Sequence, residues 1–173
     1  MKIPWYTHGN WKLDPTQLTT LTNDLLEVGV RDKNINIVTT YFNKDKDVEC
    51  LSFLKNFYED RVNEIAKDQL FYHNSTIRFD FWGQVYHKSD SHHPIHDHFR
   101  TNSNTALSFC HFLKPVKNDI FRFSDGEQVE IPRQEEGDFL VFPSYVPHYA
   151  APHNSDKTRV IVAGNISMVD HDS

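Results

Sequence analysis

The sequence predicts a mainly β fold, a sandwich or barrel of short antiparallel strands with two helices ahead of it. Two observations predict this. Beyond residue 75 the chain breaks into β-rich runs over 76–86, 105–113, 119–123, 128–131, 138–142, 148–151 and 158–163, with turn residues closely spaced between them. Before residue 75 apolar residues recur at helical spacing instead. Thirteen Phe and an aromatic content of 13% suit a sheet-rich core.

At 173 residues the expectation is one domain over 1–173, with a helical part over 1–75 and a strand core over 76–166. The formal net charge of −6 argues against a general nucleic-acid surface or an anionic-membrane surface. Cys50 and Cys110 fall in separate ordered segments, not in a C-x-x-C arrangement, and read as two reduced thiols. The first residues lack the apolar run of a signal peptide, and no apolar stretch is long enough to span a bilayer. A cytoplasmic protein without a membrane partner is expected.

Residues 1–13, with Trp5, Tyr6 and Trp11, read as an edge strand or arm. Asp14 followed by Pro15 is an N-cap with proline at the first helical position. Leu18, Leu21, Leu25 and Leu26 then form one apolar face, and Gly29 is the expected stop. The run over 35–42 is β-rich. A polar turn over 43–47 follows, with Asp47 as a candidate cap for a second helix over 48–70. That helix has Val48, Leu51, Leu54, Phe57, Tyr58, Val62, Ile65 and Ala66 on its apolar side. Its charged residues read as a solvated face. Asp125-Gly126 is a hairpin turn between the runs over 119–123 and 128–131.

Five of the eleven histidines lie between positions 87 and 98. On an extended strand His96 and His98 share a face, because side chains alternate. Two imidazoles side by side begin a metal site, and His148 is the best distant third ligand. A facial iron site needs two histidines and a third ligand on one side of the metal, with the opposite positions open. His87, His92 and His93 read as a solvated loop, His153 as a surface residue, and His111 as a core polar group. Arg159 starts the strand Arg-Val-Ile-Val-Ala, so it needs an anionic partner if buried. Trp82 reads equally as core or as a substrate contact.

Four blocks, in this order, resemble the Fe(II)/2-oxoglutarate-dependent oxygenases of the prolyl-hydroxylase-like group. They are Trp82 leading to His96-Asp97-His98, Leu107-Ser108 opening an aromatic strand, the stretch from Gly137 through Pro143 to His148, and Arg159 with the apolar strand ending at Asn165. The resemblance covers roughly half the chain. It implies a double-stranded β-helix (jelly roll) with the N-terminal helices packed on one sheet. It also implies an oxidoreductase, a hydroxylating dioxygenase that takes Fe(II) and 2-oxoglutarate and consumes molecular oxygen. In that reading His96 and His148 bind iron, and Arg159 holds the remote carboxylate of 2-oxoglutarate, which its planar fork suits. The substrate class is a protein side chain or a small metabolite, with nucleic acid disfavoured by the acidic balance.

The sequence leaves the family pattern at two places. Where the family commonly has Asp or Glu, two residues after the first His, stands His98. Three ligand sets follow: His96, His98 and His148; His96 and His148 alone; or Asp97 in place of His98 through a local bulge. Where many relatives carry Ser after the Arg stands Ile161, so Ser108 or Tyr86 would have to supply a hydroxyl to the carboxylate. A cupin-type metalloenzyme without 2-oxoglutarate is the rival enzyme class. Cupins usually add a Glu soon after H-x-H, and the segment here, Phe99-Arg-Thr-Asn-Ser-Asn, has no carboxylate. A non-catalytic jelly-roll binding domain is the other alternative.

Overall fold

The structure, a computed structural model, describes residues 3–43, 49–69, 75–87, 90–99 and 104–170. Most of the expected turn over 43–47, its Asp47 cap, and the expected helix limits at 48 and 70 lie outside those residues.

The first strand, β1 (Tyr6–Asn10), is the edge strand expected of the aromatic N-terminal stretch. Helix α1 spans Pro15–Val28. Asp14 accepts hydrogen bonds from the backbone N–H groups of Thr16 (2.9 Å) and Gln17 (3.0 Å), and the Asp14 N–H reaches the Gln17 side chain at 3.3 Å. This reciprocal cap satisfies N–H groups that have no intrahelical partner. Leu18, Leu21 and Leu25 face inward, whereas Leu26, expected on the same face, is 41% exposed. The inward stripe is narrower than the leucine pattern suggested.

The run over 35–42 is only partly a strand. It gives β3 (Ile37–Thr39), preceded by a short partner β2 (Val30–Asp32) and followed by a 3-10 turn at Tyr41–Asn43. The Thr39 hydroxyl accepts the Tyr41 N–H at 3.1 Å, which bends the chain out of the ladder. Helix α2 (Ser52–Gln69) follows a 3-10 turn at Glu49–Leu51. The remaining strands are β4 (Ser75–Tyr86), β5 (His93–His96), β6 (Thr105–Lys114), β7 (Phe121–Ser124), β8 (Val129–Glu130), β9 (Asp138–Pro143), β10 (His148–Ala150) and β11 (Arg159–Asp170). Strand β11 runs well past residue 163, where the β-rich pattern stops. It is paired on one side to β4 and on the other to β6, and ladder pairing overrides the weak propensity of Gly164, Asn165 and Ser167.

The strands form two antiparallel sheets, one of order β1-β9-β6-β11-β4-β3-β2 and one of order β5-β10-β7-β8. Alternation along the central strands divides the core in two. Val85, Phe109, Val141, Val160 and Val162 join Leu21, Leu25, Leu54, Tyr58 and Val62 of the helices. Tyr86, Cys110, Phe112, Leu140, Phe142 and Ile161 point the other way and meet Phe121, Phe123 and Ala150 of the small sheet. Each Val, Leu, Ile or Phe among them, fully buried, contributes about 1.5–3 kcal/mol. The approach of α1 to β4 is close: a Cβ on Gly83 would fall 2.4 Å from the Leu25 side chain. Cys50 and Cys110 are free thiols. Among the described residues no helix is long and apolar enough to cross a membrane.

Candidate metal centre

Strands β5 and β10 are antiparallel neighbours in the small sheet, and their register sets His148 opposite His96. Residues 52 positions apart in sequence are thereby cross-strand partners. His98 lies just beyond the end of β5, where its backbone N–H donates to the Ser144 carbonyl at 2.9 Å. Its ring returns toward the same point although the extended strand has ended. One ligand nitrogen from each of His96, His98 and His148 falls within 4.8 Å of the others, and the Nε2 atoms of His96 and His98 are 3.2 Å apart.

The other nitrogen of each ring fixes the tautomer. His96 Nδ1 lies 2.9 Å from the Pro94 carbonyl, and His148 Nδ1 lies 3.0 Å from the Val146 carbonyl. His98 Nδ1 lies 2.5 Å from Asn165 Oδ1. All three partners are carbonyl oxygens, which only accept, so each Nδ1 carries the proton and each Nε2 presents a lone pair. Burial, the main cause, holds all three imidazoles below the ordinary histidine range, His98 at about 4. They are therefore neutral near pH 7 and able to ligate. Lone pairs facing one another at 3.2 Å repel, and a divalent cation between them turns that repulsion into ligation. The donor set fits a metal such as Fe(II), which imidazole suits.

Behind His98 stands a supporting pair. Asn165 of β11 is in register with Ser108 of β6, and the Ser108 hydroxyl donates to Asn165 Oδ1 at 3.0 Å while lying 2.9 Å from His98 Nδ1. Of the two hydroxyls considered for the cosubstrate carboxylate, Ser108 is thus bonded to the His98 support. Tyr86 is the one beside Arg159. Tyr86 is the cross-strand partner of Arg159, and the guanidinium carbon sits 4.5 Å from its ring centroid. The Tyr86 hydroxyl donates to Gln84 Oε1 at 3.0 Å.

Arg159 is fully buried, and among the described residues none of its three guanidinium nitrogens has a hydrogen-bond partner. Arginine cannot shed its charge, and a buried cation without an anion is costly. The site therefore fits an added carboxylate. Arg159, Ile161, Ala163 and Asn165 alternate onto one face of β11, and the last three line a cavity of about 330 Å³ that the three histidines also line.

No family model matches the chain, and no curated protein matches it. Solved structures do match. A prolyl-4-hydroxylase from Pseudomonas putida aligns with a TM-score of 0.68 at 15% identity, over 94% of this chain and 91% of its own. The fold is that of the prolyl hydroxylases. A viral collagen prolyl hydroxylase from Paramecium Bursaria Chlorella virus-1, in complex with 2OG, aligns at 0.64 and 14% identity, over 96% of each chain. A 2OG-Fe(II) oxygenase family member from Burkholderia pseudomallei aligns at 0.63 and 12% identity, over 90% of this chain and 79% of its own. Two antiparallel sheets with helices ahead of them, as in these relatives in fold, give the jelly-roll-like architecture that the motif order implied.

Several residues sit elsewhere than their sequence context suggested. Asp97 lines the cavity, but the ligand cluster among the described residues consists of imidazoles alone. His93 is not in a solvated loop: it is on β5, its ring centroid is 4.3 Å from that of His96, and burial, the main cause, lowers its pKa to about 4. His153, expected at the surface, is 1% exposed. It lies in the segment returning to β11, and Pro152 beside it gave no sign of that cover. His111 is the core polar group expected of it. Trp82 is 4% exposed, as a core residue is, and it also lines the cavity. Asn165 was legible only as a strand end. Its hydrogen bond to His98 depends on the β6–β11 register, which no local pattern reveals.

Proposed function

We propose that this chain is a 2-oxoglutarate-dependent dioxygenase that binds Fe(II) through His96, His98 and His148 and hydroxylates a protein side chain or a small metabolite. The observation that carries the proposal is the convergence of three Nε2 lone pairs with every Nδ1 proton already committed to an acceptor. Arg159 selects the cosubstrate. Its buried guanidinium, without a hydrogen-bond partner among the described residues, suits the distal carboxylate of 2-oxoglutarate, which a metal site of the cupin kind would leave without purpose.

Bound Fe(II) and 2-oxoglutarate supply the oxygen chemistry, in which the cosubstrate is decarboxylated to succinate and a hydroxyl group is delivered to substrate. The chain's part is placement. Pro94, Val146 and Asn165 hold the ring orientations of the three ligands. An all-imidazole set adds no charge, so the dianionic cosubstrate balances the divalent metal. Arg159, with the Tyr86 ring against it, fixes the far end of the cosubstrate. Phe121, Phe142 and Ile161 keep that end dry, which strengthens the ion pair.

Succinate formation from 2-oxoglutarate with Fe(II), together with binding of 2-oxoglutarate to the metal-loaded chain, tests this. Arg159→Ala weakens 2-oxoglutarate binding on the order of 100-fold, the scale of a lost charge-assisted pair, while the metal still binds. Unchanged 2-oxoglutarate affinity in that variant would overturn the assignment.

A further inference from the structure

The loop between β10 and β11 turns one polar side chain inward. Pro152 and Asn154 are exposed, whereas His153 between them is 1% exposed. Asn154 has a φ of 49°, a left-handed conformation that asparagine adopts more readily than most residues. The loop thus bends around His153 and leaves its ring in the interior. There, neither ring nitrogen has a hydrogen-bond partner among the described residues. An imidazole always carries at least one N–H, and burying that donor without an acceptor is costly.

The ring lies beside the Arg159 end of the cavity. Arg159 and Tyr86 are cross-strand partners, and His153 feels both. Burial is the largest cause that lowers the His153 pKa, followed by the charges of Arg159 and Lys117. Asp90 and the Tyr86 carbonyl act in the opposite direction. One corner of the fold therefore holds two buried side chains with unmet donors, the imidazole of His153 and the guanidinium of Arg159. A single anion satisfies both.

A carboxylate has about four lone-pair sites, and a guanidinium fork fills two of them. The other positions considered for this carboxylate are committed or apolar. The Tyr86 hydroxyl donates to Gln84 Oε1 at 3.0 Å, the Ser108 hydroxyl donates to Asn165 Oδ1 at 3.0 Å, and Ile161 has no donor. His153 has an N–H to give. We propose that His153 is a second binding residue for the distal carboxylate of 2-oxoglutarate, donating its ring N–H to the carboxylate that Arg159 holds. The proposal rests on the oxygenase reading of the same cavity and adds a residue to its cosubstrate site. The bound carboxylate also offsets the Arg159 charge that faces the imidazole.

The test is calorimetric titration of the full chain, loaded with Zn(II), with two ligands. One is 2-oxoglutarate, and the other is 2-oxovalerate, in which a methyl group replaces the distal carboxylate. The parent chain is expected to prefer 2-oxoglutarate by at least about 100-fold, the scale of charge-assisted hydrogen bonds. His153→Leu fills much of the space of the ring without a polar atom. It should weaken 2-oxoglutarate binding about tenfold and leave 2-oxovalerate binding unchanged. His153→Ala repeats the measurement with a side chain that cannot clash. His153→Gln keeps an N–H donor and should bind 2-oxoglutarate within about threefold of the parent. A loss shared equally by the two ligands would mark His153 as structural and overturn the proposal. So would a His153→Leu or His153→Ala chain that keeps the full preference, and in that case the oxygenase reading stands. A parent chain that binds neither ligand, or both alike, overturns the oxygenase reading and this assignment with it.

Discussion

His111 and the cluster of His96, His98 and His148 are two settings of an imidazole in this fold, and the difference between them lies in one ring nitrogen. His111 has both nitrogens engaged. Its Nε2 lies 2.9 Å from the Trp11 carbonyl, which only accepts, so Nε2 carries the proton and Nδ1 accepts from the Tyr58 hydroxyl at 2.9 Å. The ring sits among Trp11, Phe57, Tyr58 and Phe139 on the helix side of the large sheet. His96, His98 and His148 have Nδ1 engaged by carbonyl acceptors, and a ligand nitrogen of each ring faces the other two. Burial pushes down the pKa in both settings, so a depressed pKa does not separate a structural histidine from a ligand. The direction of the remaining lone pair does. In one setting it meets a hydroxyl, and in the other it meets two more lone pairs.

Breaking this contrast at its strongest point gives the largest effect. His148→Ala removes one of the three proposed ligands, and metal affinity, followed by Co(II) absorption, should fall by at least about 1000-fold, beyond the 10–100-fold of an outer-sphere change. Metal-dependent succinate formation should be lost with it. His111→Ala should leave the Co(II) spectrum and affinity unchanged. It should instead lower stability by roughly 2–4 kcal/mol in urea unfolding, through the cavity and the unpaired Tyr58 hydroxyl. A His111→Ala chain that loses metal, or a His148→Ala chain that keeps it, would erase the distinction.

The acid limb of stability sharpens it further. His111 has an ordinary value of 6.5, and desolvation, the largest cause, lowers it to about 4 in the folded chain. Below pH 6.5 the unfolded chain takes up a proton that the folded chain refuses. The folded state therefore loses stability as pH falls from 6.5 to about 4, and the loss levels off below that. The full span is worth on the order of 3 kcal/mol. His111→Phe is less stable than the parent at pH 7, yet its stability should fall less between pH 7 and 4. Parallel urea midpoint curves for the two proteins would show instead that His111 titrates normally.

The same contrast explains what the sequence disclosed. Most strands and both helices were legible because alternation and helical spacing are local, and the Asp14-Pro15 cap and the Asp125-Gly126 turn are signals of adjacent residues. His96, His98 and His148 were legible as types of side chain in a known order. Arg159 stood out as a lone charge before an apolar run. What decides the role of each imidazole is not local. His148 meets His96 only through the β5–β10 register, and Asn165 meets His98 only through the pairing of β11 with β6. His93 and His153 were misplaced for the same reason, since their burial comes from strands and loops remote in sequence. The second half of β11 was missed because its pairing partners, not its own residues, hold it extended.

Asn165 gives the smallest and most discriminating change. Its carbonyl oxygen holds the His98 Nδ1 proton and accepts the Ser108 hydroxyl, so it contributes to tautomer and ring orientation without facing the metal. Asn165→Ala leaves three imidazoles in place, and Ser108 remains 2.9 Å from His98 Nδ1 as a substitute partner. Metal affinity should then fall by about tenfold, the low end for loss of an orienting partner. Ser108→Ala with Asn165→Ala should cost more than the two single changes added, because each single variant keeps one acceptor or donor for the ring. Strict additivity in that cycle would mean that the pair does not orient His98, and that the ring is held by packing against Trp82 instead.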